Sequence, residues 1–152
     1  MSLLSCAQGV VNATSPLPWL IVSGQPTEAQ FAALHGGGTR AVIDLRDPME
    51  PRPFDEPATT RALGMTYVNV PVVSGALSDA TMDRTLAALR AASGTPTVLH
   101  CNSANRTGGP LIAYLMLDEK MAEASAVDIA MRSGLRSVEL IEWATEYVTR
   151  KG

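Results

Sequence analysis

Thr97-Val98-Leu99 runs directly into His100-Cys101-Asn102-Ser103-Ala104-Asn105-Arg106-Thr107-Gly108-Gly109, and beyond it Leu111, Ile112, Leu115 and Met116 fall at helical spacing. A β-branched run, a loop of small polar residues and a helix, in that order, make one strand–loop–helix unit of an α/β protein. Such a loop binds anions. Its successive backbone N–H groups can turn inward, and the free N–H groups and dipole of the next helix add partial positive charge. A cysteine at the mouth of the loop shares that field, which stabilises a thiolate against the free-thiol pKa of about 8.5. Cys101 is therefore the candidate nucleophile. Arg106 is the candidate clamp, because a planar guanidinium binds two oxygens of a phosphate or sulfate group at once. Asn102, Ser103, Ala104, Asn105 and Thr107 are the candidate substrate-binding positions. Thr107 is placed to offer its hydroxyl to the sulfur, and His100 to brace the loop through a backbone carbonyl. The competing reading makes Cys101 a buried small hydrophobe and Arg106 an ordinary helix-start residue. The occurrence of strand, cysteine, small polar loop, arginine and helix together favours the site.

Working outward, the same alternation of apolar runs and helix-period stretches continues. Leu20-Ile21-Val22 reads as a strand closed by Ser23-Gly24, and Thr27 with Gln30 has capping-box spacing for a helix that Gly36-Gly37-Gly38 ends. The next strand, residues 41–45, leads into an irregular loop over 46–57 punctuated by prolines at 48, 51, 53 and 57. A short helix over 60–63, a strand over 66–70 and a helix capped by Ser78 follow, with Met82, Leu86 and Leu89 on one face. Ala126, Ile129 and Ala130, then Leu140, Trp143 and Tyr147, give two more helices. Met116, Met121 and Met131, with Trp143 and Tyr147, are expected in the core. The expected fold is a central, mostly parallel sheet flanked by helices, with a helical C-terminal cluster, in a single domain over 1–152 whose residues 1–16 are a lead segment.

The chain has 152 residues, 12 Lys+Arg against 15 Asp+Glu, and a net charge of −3, so it lacks the basic footprint of a nucleic-acid or anionic-membrane binder. A hydrophobic fraction of 46% is enough for a core and sets disorder aside. Its two cysteines, Cys6 and Cys101, are too far apart in sequence for a small disulfide scaffold and fit reduced thiols in a cytoplasmic protein. The apolar stretches are shorter than the roughly 20 residues of a membrane span. Leu3-Leu4-Ser5 ahead of Cys6 lacks the basic and apolar segments of a lipoprotein signal and reads as ordinary N-terminal sequence. No His/Cys/Asp/Glu group has metal-ligand spacing, and neither metal nor cofactor is expected.

His100-Cys101 through Arg106-Thr107-Gly108 resembles the signature loop of the cysteine-dependent protein tyrosine and dual-specificity phosphatases. Ser23-Gly24-Gln25-Pro26-Thr27, Val42-Ile43-Asp44-Leu45-Arg46 and Tyr67-Val68-Asn69-Val70-Pro71-Val72, followed by the loop, are similar in order and spacing to the phosphatase-domain family of beta-lactamase hydrolase-like proteins. The resemblance spans roughly residues 17–118. It implies a tyrosine-phosphatase-like α/β fold and hydrolysis of phosphomonoesters through a phosphocysteine, with a phosphorylated or other oxyanionic substrate.

Two departures from the well-studied phosphatases open alternatives. Those enzymes place five residues between cysteine and arginine. Asn102 to Asn105 make four, a loop length also resembling rhodanese-type sulfurtransferases, whose cysteine carries a persulfide. The aspartate that protonates the leaving oxygen in the phosphatases also has no counterpart in residues 71–78. Asp79, Asp47, Asp55 and Glu56 are the substitutes within reach, although a carboxylate in a first helical turn, like Asp79, more often serves the dipole. The alternatives are thus a persulfide-carrying sulfurtransferase and a non-catalytic module that binds anions. Asp44 and Arg46, at the C-terminal end of a strand, are expected to brace the neighbouring loop more than to touch substrate. Gln25 either lines the site or fixes its turn.

Overall fold

The computed structural model describes residues 2–152. Strands β2 (Leu20–Ser23), β3 (Ala41–Asp44), β4 (Thr66–Asn69) and β5 (Thr97–His100) pair in parallel, and β1 (Thr14–Leu17) joins β2 antiparallel, in the order β1-β2-β5-β3-β4. Every residue of β2, β3 and β5 is buried, as expected of parallel strands covered on both faces. Period-two alternation sorts their side chains. Leu20, Val22, Ile43 and Leu99 enter one apolar cluster, and Ile21, Val42 and Val98 enter the other. Each fully buried aliphatic side chain of this kind contributes roughly 1.5–3 kcal/mol.

The first cluster is closed by α3 (Asp79–Ala92), α4 (Gly108–Leu117), α5 (Glu123–Arg132) and α6 (Val138–Lys151). The second is closed by α1 (Glu28–Gly36), through Phe31 and Leu34, and by the segment around α2 (Glu56–Ala62). Local chemistry sets the helix starts. The Thr27 Oγ1 accepts from the Gln30 N–H at 3.1 Å while the Gln30 Oε1 accepts from the Thr27 N–H at 2.9 Å, a complete capping box. Ser78 Oγ accepts from the Thr81 N–H at 3.1 Å to start α3.

Three details differ from the sequence reading. Helix α2 begins at Glu56, not at Thr60: Asp55 accepts from the Ala58 N–H, and Pro57 falls in the first turn, where its missing N–H leaves no bond unmade. The described part of the expected lead segment, residues 2–16, packs onto the sheet. Ala7 and Val10 are buried in the second cluster, and Pro16 is tolerated in β1 because β1 lies at the sheet edge. Met131 is 51% exposed on α5, while Trp143 and Tyr147 are buried as expected.

Helix α4 starts in close contact with the C-terminal cluster. A Cβ on Gly108 would lie 2.7 Å from Leu135, and one on Gly109 would lie 2.9 Å from Trp143. Only glycine fits at either position, so Leu135, in the turn between α5 and α6, and Trp143 of α6 fix the position of the helix that follows the loop. Among the described residues no helix is long and apolar enough to cross a membrane.

Candidate active site

Strand β5 lies between β2 and β3, so its C-terminal end emerges at the centre of the sheet edge, where open α/β sheets bind ligands. The Cys101 N–H still donates to the Ser23 carbonyl at 3.3 Å, and the His100 carbonyl accepts from Leu45 N–H at 2.9 Å. The chain then leaves the sheet, with its next four carbonyls all taken. Asn102 O accepts from the Gln25 N–H at 3.0 Å, and Ser103 O from Asn12 Nδ2 at 3.0 Å. Ala104 O accepts from Thr107 Oγ1 at 2.8 Å, and Asn105 O from the Gly108 N–H at 3.1 Å. Because each peptide unit is planar and trans, the N–H groups of Ser103, Ala104, Asn105 and Arg106 point away from these bonded carbonyls. The bend is made at Ala104, with φ +75°, a left-handed conformation costing a non-glycine residue roughly 1–2 kcal/mol. Close packing holds it there: a Cβ on Gly134 would lie 2.9 Å from the Ala104 Cβ.

Cys101 has no solvent-accessible surface and borders the first apolar cluster. Its sulfur also faces charge. The positive charge of Arg106 is favoured first by Glu50, against the effect of burial, and then by the Cys101 sulfur. Arg106 Nη1 and Nη2 donate to Glu50 Oε2 and Oε1 at 2.5 and 2.8 Å, a bidentate pair. Arg106 holds the Glu50 carboxyl below its usual range, outweighing partial burial. The Thr107 hydroxyl proton goes to the Ala104 carbonyl and not to the sulfur. Asn105 turns its side chain outward, where Oδ1 accepts from the Arg136 N–H at 2.7 Å.

Beneath the loop lies a buried ionic network. Arg46 Nε and Nη2 donate to Asp44 Oδ1 and Oδ2 at 3.0 and 2.8 Å, and Nη2 also reaches Glu56 Oε1 at 3.2 Å. Tyr67 Oη donates to Asp44 Oδ2 at 2.6 Å, and Gln25 Nε2 to Glu56 Oε1 at 2.7 Å. His100 faces acceptors with both ring nitrogens: Nε2 lies 2.6 Å from Glu56 Oε2, and Nδ1 lies 3.2 Å from the Cys101 carbonyl. A neutral ring donates to one of these, whereas an imidazolium serves both and balances the two carboxylates together with Arg46. Asp44, Glu56 and His100 offer ligand atoms within 4.8 Å of one another, a proximity that sequence spacing did not disclose. The cation they hold is the Arg46 guanidinium, so the set does not fit an added metal. Asp44 and Arg46 therefore brace the site from below, and Gln25 fixes its turn by donating to Glu56 and to the Pro26 carbonyl.

The network predicts acid sensitivity. Burial pushes the Asp44 carboxyl up, but the Arg46 bonds, the His100 charge and the Tyr67 hydroxyl together bring it from 3.8 to about 2. A depressed carboxylate contributes stability above its unfolded value and loses it as pH falls through its folded value. Unfolding free energy from urea titration should therefore drop by about 2 kcal/mol between pH 4 and pH 2 from this group alone. A flat profile over that window would contradict the assignment.

None of the carboxylates considered as proton donors reaches the loop unengaged. Asp79 pairs with Arg150 at 2.6 Å, Asp55 caps α2, Glu56 belongs to the buried network, and Asp47 Oδ1 accepts from the Met49 N–H at 2.9 Å. The carboxylate that does reach Arg106, Glu50, was missed in the sequence. It sits among the prolines of the 46–57 loop, and nothing local distinguishes it from Asp47. Glu139 at the start of α6 accepts from the Gly75 N–H at 2.9 Å and from Ser74 Oγ at 3.0 Å, tying down the acid-free loop over 71–78.

No family model matches the chain. A stretch of 91 residues is 31% identical to the Beta-lactamase hydrolase-like protein of Xylella fastidiosa, in strain Temecula1 and in strain 9a5c, covering 57% of this chain and 21% of the relative. The chain thus spans about a fifth of the length of the curated relatives it matches. Among solved structures, a DUF442 protein of Shewanella putrefaciens CN-32 superposes with a TM-score of 0.82 at 22% identity, over 98% of this chain and 99% of that one. Tk-PTP in its active form gives 0.80 at 19% identity, over 91% and 97%. TpbA of P. aeruginosa, solved in complex with phosphotyrosine, gives 0.71 at 21%, over 91% and 83%. The chain is similar in sequence to the Beta-lactamase hydrolase-like proteins over 91 residues and has a protein-tyrosine-phosphatase-like fold.

Proposed function

We propose that the protein is a cysteine-dependent phosphatase acting on phosphomonoesters. The observation that carries this reading is the loop itself. Cys101 and Arg106 flank four peptide units whose carbonyls are bonded elsewhere, at the C-terminal end of the central strand. In the first step the Cys101 thiolate gives an electron pair to phosphorus and the P–O bond to the leaving group breaks. Arg106 and the loop N–H groups hold the phosphoryl oxygens. Water then attacks phosphorus, the S–P bond breaks and the thiolate returns. With the nearby carboxylates engaged, the leaving oxygen takes its proton from solvent. Aryl phosphates should therefore turn over faster than alkyl phosphates by roughly 10²–10⁴, the usual contribution of a general acid. A phosphotyrosine-like substrate is consistent with the TpbA complex.

The four-residue spacing and the same lack of an acid favour a second reading, sulfur transfer. There Cys101 takes the outer sulfur of a donor such as thiosulfate, the S–S bond of the donor breaks and sulfite leaves. Intact-protein mass spectrometry separates the two readings. Brief exposure to an aryl phosphate should leave a phosphoryl adduct of about 80 Da on Cys101, and a sulfur donor should leave no adduct of about 32 Da, because a thiolate is labelled by whichever electrophile it serves. The reverse pattern supports the sulfurtransferase, and labelling by neither rejects both in favour of anion binding without chemistry.

A further inference from the structure

We infer that Asn12 is a positioning residue that latches the Ser103–Ala104 peptide of the anion loop in its binding orientation; the inference rests on the role proposed for that loop above. The Ser103 carbonyl is held by a side chain from a distant part of the chain: Asn12 Nδ2 donates to it at 3.0 Å across 91 positions. Asn12 precedes the stretch that carries the family resemblance. The turn that bears it is fixed, because Val10 is buried, the Ala13 N–H donates to the Val10 carbonyl at 3.3 Å and the Gly24 N–H donates to the Val11 carbonyl at 2.7 Å. At the third position of that turn Asn12 has φ +51°, a left-handed conformation that asparagine adopts more readily than most residues. Its amide is therefore aimed before any substrate arrives.

The latch opposes strain at the next residue. Ala104 is held at φ +75°, which an alanine disfavours. A peptide moves as one plane about the two bonds that flank it, so rotating the Ser103–Ala104 plane by half a turn would bring that φ to a negative value open to any residue. The same rotation exchanges the Ser103 carbonyl and the Ala104 N–H. An oxygen would then stand where the loop offers a donor, and an anion would be repelled. The bond from Asn12 is lost in the flipped form, so it weighs against the relief of strain. With only four residues between Cys101 and Arg106, one reversed peptide removes a large share of the loop's donors.

The test compares wild type with Asn12→Gly, which keeps the left-handed turn and removes the amide, and with Asn12→Gln, which keeps the amide on a longer arm. Ala104→Gly and the double variant Asn12→Gly/Ala104→Gly complete the set. Each is measured for tungstate affinity by calorimetry, for kcat and KM on an aryl phosphate, and for thermal unfolding. Asn12→Gly should weaken tungstate binding about fivefold, the scale of one hydrogen bond. KM should rise similarly while kcat at saturation holds, because affinity falls with the fraction of loops in the binding orientation. Asn12→Gln should lie between Asn12→Gly and wild type. In the Ala104→Gly background, where the left-handed bend carries no strain, Asn12→Gly should weaken binding by less than about twofold. Unchanged affinity in Asn12→Gly overturns the inference, as does an equal loss in both backgrounds or an affinity that merely follows the unfolding temperature. Wild type that binds no tungstate and forms no Cys101 adduct instead refutes the proposed function, and the role of Asn12 falls with it.

Discussion

Cys101→Ser abolishes turnover of an aryl phosphate, with a loss of roughly 10⁴-fold or more, the scale of removing a covalent nucleophile. The substitution changes one buried atom at the end of β5 and leaves the rest of the loop in place. Tungstate binding and the unfolding transition should therefore persist while chemistry stops. Retained binding matters as much as lost rate, because it separates a missing nucleophile from a collapsed loop. Phosphate release at the wild-type rate by this variant would end the phosphocysteine mechanism. Arg106 could then still hold an anion, but Cys101 would be only a small buried side chain of the first apolar cluster.

Arg46→Met should unfold most of the molecule's margin. Arg46 is 2% exposed and bonds both Asp44 and Glu56, themselves 0% and 1% exposed. Removing the cation leaves two carboxylates buried beside one histidine. Breaking a buried ion pair from one side typically costs about 3–5 kcal/mol, against a total stability of about 5–15 kcal/mol for a domain of this kind. The urea midpoint should fall accordingly. Adding Glu56→Gln to Arg46→Met should recover part of the loss, because it removes one of the stranded charges; a simple cavity effect would only add to the damage. A loss below about 1 kcal/mol would show that the network contributes little. The effect reaches the site through His100, which spans Glu56 and the Cys101 carbonyl.

Much of the architecture was legible because it depends on neighbours in the chain. The alternation in Leu20-Ile21-Val22 and Val42-Ile43 specifies two buried faces, and Thr27 with Gln30 or Ser78 with Thr81 specifies helix starts, all within a few residues. Strand β1 escaped this reading because four residues with a proline at the third carry too little periodicity. Met131 was misplaced because helical spacing gives a face but not what covers it.

By itself the sequence determined the parallel α/β fold and put Cys101 and Arg106 on one loop, since backbone preferences, burial periodicity and a short spacing all act locally. Only the tertiary structure decided which carboxylates meet that loop. Glu50 reaches Arg106 across 56 positions, and Glu56 reaches His100 across 44. Charges pair through space wherever the sheet order brings β3 and β5 side by side, and no local pattern records that distance.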